Sequence, residues 1–217
     1  MLIICVLHLY FIPRFRKKRL TRVQKRNIEK NLVSKANLIE DPLIEICGPS
    51  EYITKDNEII KLSYENATKA SPECKTWVMD ITERNMKLFY QQCEWGWNPV
   101  EKKNELTEPE ACYLLATLNE KFIGFSHFRF DIDDTDAVLY CYELQLEESI
   151  RGKGLGTFMM NILETMAKQT KMKRVVLTIL KCNPTAAEFF SKLGYRRDKT
   201  NNPNADYQIL SKQITIR

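Results

Sequence analysis

The sequence predicts an α/β domain whose mixed, mostly antiparallel sheet is flanked by helices. Three observations carry that expectation. Apolar strands follow one another closely at 111–118, 122–130 and 137–146. A glycine-rich turn at 151–156 opens an amphipathic helix. A buried strand at 175–180 and a short helix come after it.

At 217 residues the chain fits one domain plus an extension. The natural division is an apolar and basic extension at 1–36 and a domain at 37–217, with its core from about residue 70. Residues 1–12 form an apolar run, too short for the roughly 20 residues a membrane helix needs. Its charges follow it, unlike those of a secretory signal, so no stable membrane insertion is expected. Residues 14–30 hold nine Lys/Arg and one Glu, whereas the chain from 31 onward holds 24 basic and 27 acidic residues. A basic arm thus precedes a mildly acidic body, which favours a cationic substrate. The seven cysteines form no Cys-x-x-Cys pair, and the histidines are His8 and His127. That excludes a zinc signature and a disulfide framework, and no metal is expected.

Residues 14–36 read as a basic helix with a thin apolar stripe of Leu20, Val23, Asn27, Ile28 and Leu32. Asp41-Pro42 ends it, 43–58 reads as loop, and 59–65 as a first strand. Ser71-Pro72 caps a helix that runs to about Gln92. Residues 100–110 read as a charged loop, Asn119-Glu120-Lys121 as a tight turn, and 131–136 as an acidic loop between strands. Leu155, Phe158, Met159, Ile162, Leu163 and Met166 share one face of the next helix. Asn183-Pro184 starts the short helix, Gly194 ends it, and 207–214 supplies a last strand.

The chemistry-bearing motif is Arg151-Gly152-Lys153-Gly154-Leu155-Gly156, between a strand and a helix. Glycines permit close backbone approach, and amides at a helix start converge on an anion. Dinucleotide-binding and phosphate-loop NTPase patterns do not fit the spacing.

Around that motif stand EWGW at 94–97, FSHFRFD at 125–131, LYCYELQLE at 139–147 and LTILKCN at 177–183. Together these resemble the histone-specific N-terminal acetyltransferases (N-terminal acetyltransferase D) of the GCN5-related N-acetyltransferase (GNAT) superfamily, over roughly residues 37–215. The resemblance implies the GNAT fold and transfer of acetyl from acetyl-CoA to the α-amine of histone tails beginning Ser-Gly-Arg-Gly. It assigns Leu144, Gln145 and Leu146 to the pantetheine arm. Arg151, Gly152, Lys153, Gly154, Leu155, Gly156 and Thr157 fall to the pyrophosphate, and Asn183 to a further cofactor contact. Tyr90, Trp95, Asp131, Asp133, Tyr140, Tyr142 and Thr178 would line the peptide site, with Glu143 and Tyr142 as the catalytic pair. It also implies a nuclear and cytoplasmic location. Two departures stand out. The family begins with a Gly/Lys/Ser-rich segment where this chain has an apolar run. The tyrosine that often protonates departing CoA is replaced in the stretch Ala186-Ala187-Glu188-Phe189-Phe190.

The residues speak to the chemistry independently. A peptide α-amine has a pKa near 8, so roughly a tenth is neutral at pH 7 and a carboxylate suffices as base. Glu143 sits in an otherwise apolar and aromatic strand. In a regular strand, however, Tyr142 and Glu143 face opposite ways. A β-bulge near 142–145 is therefore expected, which would also free backbone groups for the pantetheine amides. Asp131 and Asp133 are expected to read a substrate Arg, and His127 is expected to be structural. The basic segment offers attraction to chromatin, the ribosome or anionic lipid. Acetylation of a lysine or small amine, and a non-catalytic chromatin module that binds acetyl-CoA, are the competing readings.

Overall fold

The computed structural model describes residues 21–48 and 50–215. The apolar run and the stretch 14–20 of the basic segment lie outside these. Among the described residues no helix is long and apolar enough to cross a membrane.

Helix α1 (Arg22–Asn37) starts at a capping box in which Thr21 accepts from the Gln24 amide and Gln24 returns the bond. Its docking face differs from the expected stripe. Val23 and Ile28 are exposed, while Glu29 and Ala36 are buried and Leu32 and Val33 pack on the core. A buried carboxylate decides the rotation: Glu29 accepts from the Ala137 amide at 2.9 Å and pairs with Lys173 at 2.6 Å.

The stretch 43–58 is not all loop. It holds a π-helical turn, Leu43–Cys47, and strand β1 (Glu51–Ile53), which pairs antiparallel with β2 (Ile59–Asn66). Helix α2 (Pro72–Tyr90) begins at the Ser71 cap as expected. The charged stretch 100–110 is also not a loop. Asn98 caps the Val100 and Glu101 amides and Pro99 takes the first helical position, giving α3 (Pro99–Thr107), which buries Lys102 and Leu106. Strands β3 (Cys112–Leu118), β4 (Lys121–Asp133) and β5 (Asp136–Leu146) form the meander. The acidic stretch between β4 and β5 shrinks to a two-residue turn, with Asp134 at φ 57°. There follow α4 (Leu155–Gln169), β6 (Arg174–Leu180), α5 (Pro184–Lys192), the short β7 (Arg196–Arg197) and β8 (Tyr207–Gln213).

The eight strands are ordered β1-β2-β3-β4-β5-β6-β8-β7, and β5–β6 is the parallel pair. One sheet face packs α1 and α4 through Leu114, Phe128, Leu139, Met159, Leu163 and Leu177. The other packs α2 and α3 through Val78, Ile81, Leu106, Tyr113 and Phe125.

Candidate active site

Two irregularities in β5 build the site. First, β5 pairs with β6 over Val138–Cys141 and no further. Beyond Cys141 the two strands part, and the edge of β5 turned toward β6 has no strand partner from Tyr142 to Leu146. Second, β5 carries the expected bulge, at Tyr142. His127 lies opposite Glu143 while Phe128 lies opposite Cys141, so Tyr142 is the extra residue. Cys141 packs on the α4 side with Phe128. Glu143, opposite His127, lies on the α2–α3 side, where His127 meets the Tyr113 ring. The bulge therefore brings Tyr140, Tyr142 and Glu143 to one face, which a regular strand forbids.

A cavity of about 280 Å³ opens at the parting of the strands. Of the residues singled out in the sequence, Tyr90, Trp95, Tyr140, Tyr142, Glu143, Leu144, Gln145, Thr178 and Asn183 line it. The Tyr140 and Thr178 hydroxyls meet at 2.6 Å beside the last paired rung, Cys141 with Leu177, and burial pushes Tyr140 up to about 12. Tyr142 stacks on His127 at 4.8 Å and lies under Arg129 at 4.5 Å. Arg129 also donates to His127 Nε2 at 3.1 Å and pairs with Glu108. Burial, then Arg129 and Lys102, hold His127 well below its ordinary range, so it is a neutral structural imidazole. Trp95 packs on Tyr207 at 4.8 Å in a tilted arrangement and remains half exposed at the rim.

Glu143 is almost wholly buried. One carboxylate oxygen accepts from Lys102 Nζ at 3.1 Å and the other from Gln145 Nε2 at 2.7 Å. Gln145 Oε1 is in turn fixed by Asn85 of α2 at 3.1 Å. The Gln145 side chain thus orients Glu143, and what it offers a pantetheine arm is its backbone. Lys102 also reaches Glu105 Oε1 at 2.8 Å and the Tyr90 hydroxyl at 2.9 Å. Burial opposes its charge, but Glu143, Tyr90 and Glu105 outweigh burial and raise its pKa. Burial raises Glu105 despite Lys102, and pushes Tyr90 up to about 12. The charged stretch 100–110 predicts a loop, so the sequence pattern points to neither Lys102 nor Glu105, which α3 carries into the site. The Asn98-Pro99 pair, read like Asn183-Pro184, was the signal that locates this helix.

The acidic residues of the β4–β5 end divide. Asp133 accepts from the buried guanidinium of Arg174 at 2.6 Å, and Asp136 accepts from the same group at 2.5 Å. Asp131 is exposed and accepts the neighbouring Ile132 amide at 2.6 Å. Neither Asp131 nor Asp133 lines the cavity.

The glycine turn lies beside the cavity, ahead of α4. Gly152 and Gly154 hold φ of 72° and 91°, and Gly154 caps α4 without any side-chain acceptor. The first amides of α4, those of Leu155, Gly156 and Thr157, therefore lack helical partners. A Cβ on Gly152 would meet nothing within 4 Å. A helix start whose first amides carry no side-chain cap fits a pyrophosphate. Arg151 is spent on the Leu146 carbonyl, at 3.1 Å, and on Asn85, at 2.6 Å. Lys153 faces Asp56 and Glu58 at 3.4 and 3.5 Å. Tyr52 of β1 donates to the Lys153 carbonyl at 2.5 Å and straps the turn from outside.

A model of the acetyltransferase (GNAT) family matches residues 73–195, more than half the chain. The chain belongs to that family. The matched stretch runs from α2 to the residue before β7, so it holds the parted strands, the bulge and the glycine turn. The GNAT fold is shared with solved structures at low identity. The GNAT domain of S. lividans PAT is 11% identical, with 76% of this chain and 96% of that chain covered and a TM-score of 0.58. PaiA N-acetyltransferase from Thermoplasma acidophilum, solved in complex with coenzyme A, is 15% identical, covering 70% and 99%, with a TM-score of 0.53. Naa50 of Arabidopsis thaliana, solved with the bisubstrate analogue CoA-Ac-MVNAL, is 18% identical, covering 70% and 97%, with a TM-score of 0.50. As in the GNAT family generally, acetyl-CoA is the acyl donor. The residues fit it: the edge of β5 at Leu144–Gln145, which has no strand partner, suits the amides of its arm, and the uncapped start of α4 suits its pyrophosphate.

Proposed function

We propose that this GNAT enzyme acetylates the N-terminal α-amine of protein tails beginning Ser-Gly-Arg-Gly, as found on histones, with Glu143 as base. One observation carries the catalytic part. The bulge at Tyr142 turns a buried carboxylate to the point where β5 and β6 part, among the aromatic side chains of Tyr90, Trp95, Tyr140 and Tyr142. The five motifs at 94–97, 125–131, 139–147, 151–156 and 177–183 support the substrate class. So does the Arabidopsis neighbour, which was solved with a peptide-bearing CoA analogue.

The chemistry asks little of the base. An α-amine near pKa 8 is partly neutral at pH 7, and the last proton passes to a carboxylate as the amine attacks the thioester. A lysine amine near 10.4 would arrive charged and need more help than this site offers. The aromatic walls exclude water, and the carboxylates Glu143 and Glu105 outnumber the Lys102 ammonium, so the site attracts a cationic terminus. With Asp133 held by Arg174, Asp131, exposed near the end of β4 and outside the cavity, is the proposed reader of a substrate Arg. Histone tails are the proposed partners, with a nuclear and cytoplasmic location. Chromatin or the ribosome is the proposed target of the basic segment. The test is CoA release with a Ser-Gly-Arg-Gly peptide against the same peptide blocked at its α-amine. Turnover of the free peptide alone supports the reading, and equal turnover of both defeats it.

A further inference from the structure

Glu143 meets solvent through the cavity, which a bound substrate fills. Its side chain is 4% exposed, and its two hydrogen-bond partners are the Gln145 amide, which does not titrate, and the Lys102 ammonium. Lys102, 8% exposed, continues to Glu105 Oε1 at 2.8 Å, and the Glu105 side chain is 36% exposed. A proton taken up by Glu143 thus meets a continuous chain of carboxylate, ammonium and carboxylate that ends in water.

We propose that Glu143, Lys102 and Glu105 form a proton relay that carries the amine proton from the buried base to solvent. The proposal rests on Glu143 as the base. In the relay the substrate nitrogen gives its proton to Glu143. In one concerted exchange Lys102 gives a proton to Glu105 as it takes one from Glu143, so it remains an ammonium, and Glu105 releases a proton to water. Each side chain ends as it began, and one proton has moved from nitrogen to solvent.

The other groups that face Glu143 do not offer a competing exit. From α2, Tyr90 donates no path beyond Lys102, and burial pushes it up to about 12. From β4, His127 is buried and neutral, and Arg129 is committed to Glu108 and to the Glu105 carbonyl. From β5, the Tyr140 hydroxyl is engaged with Thr178, and Tyr142 lies against His127 and Arg129.

Two variants test the relay. Glu105→Gln keeps an acceptor for Lys102 but cannot pass a proton on. Its kcat on the Ser-Gly-Arg-Gly peptide is expected to fall by about 10²-fold, at the lower end for loss of general acid–base catalysis. Added imidazole buffer should restore part of it, while KM for the peptide and acetyl-CoA affinity stay within about twofold. Lys102→Arg keeps the positive charge on a group that does not deprotonate, so it should be as slow as Lys102→Met. A Glu105→Gln enzyme with near-normal kcat and no buffer dependence overturns the relay. So does an active Lys102→Arg beside an inactive Lys102→Met, which would make Lys102 a positioning charge alone. If Glu143→Gln is slow and Glu105→Gln is not, the relay falls and the base stands. If Glu143→Gln is itself normal, both fall.

Discussion

Replacing Glu143 by Gln separates the chemistry of this side chain from its place in the fold. The amide is isosteric, and its oxygen can still accept from Lys102 or Gln145. What is lost is the negative partner of Lys102 at 3.1 Å. Removing one member of a buried pair costs about 3–5 kcal/mol when the other is left uncompensated. Here Lys102 keeps Glu105 at 2.8 Å and the Tyr90 hydroxyl at 2.9 Å, so a cost of about 1.5–3 kcal/mol is the better figure, that of a charged hydrogen bond. For a chain of this size that lowers Tm by roughly 2–4 °C per kcal/mol and leaves the enzyme folded at 25 °C. The loss of a general base is a different quantity, about 10²–10⁴-fold in kcat. Measured as CoA release at saturating substrates, kcat should fall by that factor at pH 7, with acetyl-CoA affinity little changed. Near-normal kcat across pH 6–9 in a folded variant would refute the assignment of Glu143 as base.

Other perturbations probe the parts separately. Gly156→Glu should abolish acetyl-CoA binding by calorimetry, because it sets a charged side chain against Phe189 and Leu146 at the uncapped start of α4; unchanged affinity in a variant with the wild-type circular dichroism would remove the turn from the cofactor site. Asp131→Asn should lower kcat/KM on the Ser-Gly-Arg-Gly peptide by roughly 5–10-fold, a charge-assisted contact discounted for its exposure. A peptide with Ala for that Arg should show a loss that does not add to it, whereas additive losses would make Asp131 a general attractor only. Asp136 is opposed by burial, but Lys173, Arg174 and Lys199 outweigh burial and hold it down to about 2. A depressed acid stabilises fully above the pKa of the unfolded chain, about 3.9, and loses that contribution as pH falls through 2. Urea midpoints of the wild type should therefore drop between about pH 4 and 2. Asp136→Asn should be less stable above pH 4 and flatter across that window, and an unchanged slope would contradict the pairing with Arg174.

Much of the fold was legible because its signals are local. The closely spaced apolar strands of the meander, the Ser71-Pro72 and Asn183-Pro184 caps and the apolar face of α4 each declare themselves within a few residues. The bulge was legible for a different reason: two residues needed on one face stood next to each other in a strand, and only an inserted residue reconciles them. What was missed depends on contacts distant in sequence. Strand β1 is three residues whose outward partners are few, and it exists because β2 templates it. Helix α3 is polar along its length, and the residues that bury it, Lys102 and Leu106, answer to Glu143 and Tyr113 across the fold. Asp133 looked like a rim carboxylate, and only the approach of Arg174 from β6 shows that it has a partner. The docking face of α1 turned on Glu29, which a hydrophobic stripe cannot reveal.

The most direct measurement places two amines in competition. A Ser-Gly-Arg-Gly-Lys peptide offers one α-amine and one lysine amine to the same enzyme and acetyl-CoA at pH 7. Tandem mass spectrometry of the product locates the acetyl group. A site with a lone carboxylate base, aromatic walls and an α-amine already partly neutral should yield acetyl on the serine nitrogen and leave the lysine free. Acetyl on the lysine nitrogen, or no transfer to either amine by a folded, acetyl-CoA-bound enzyme, would contradict it.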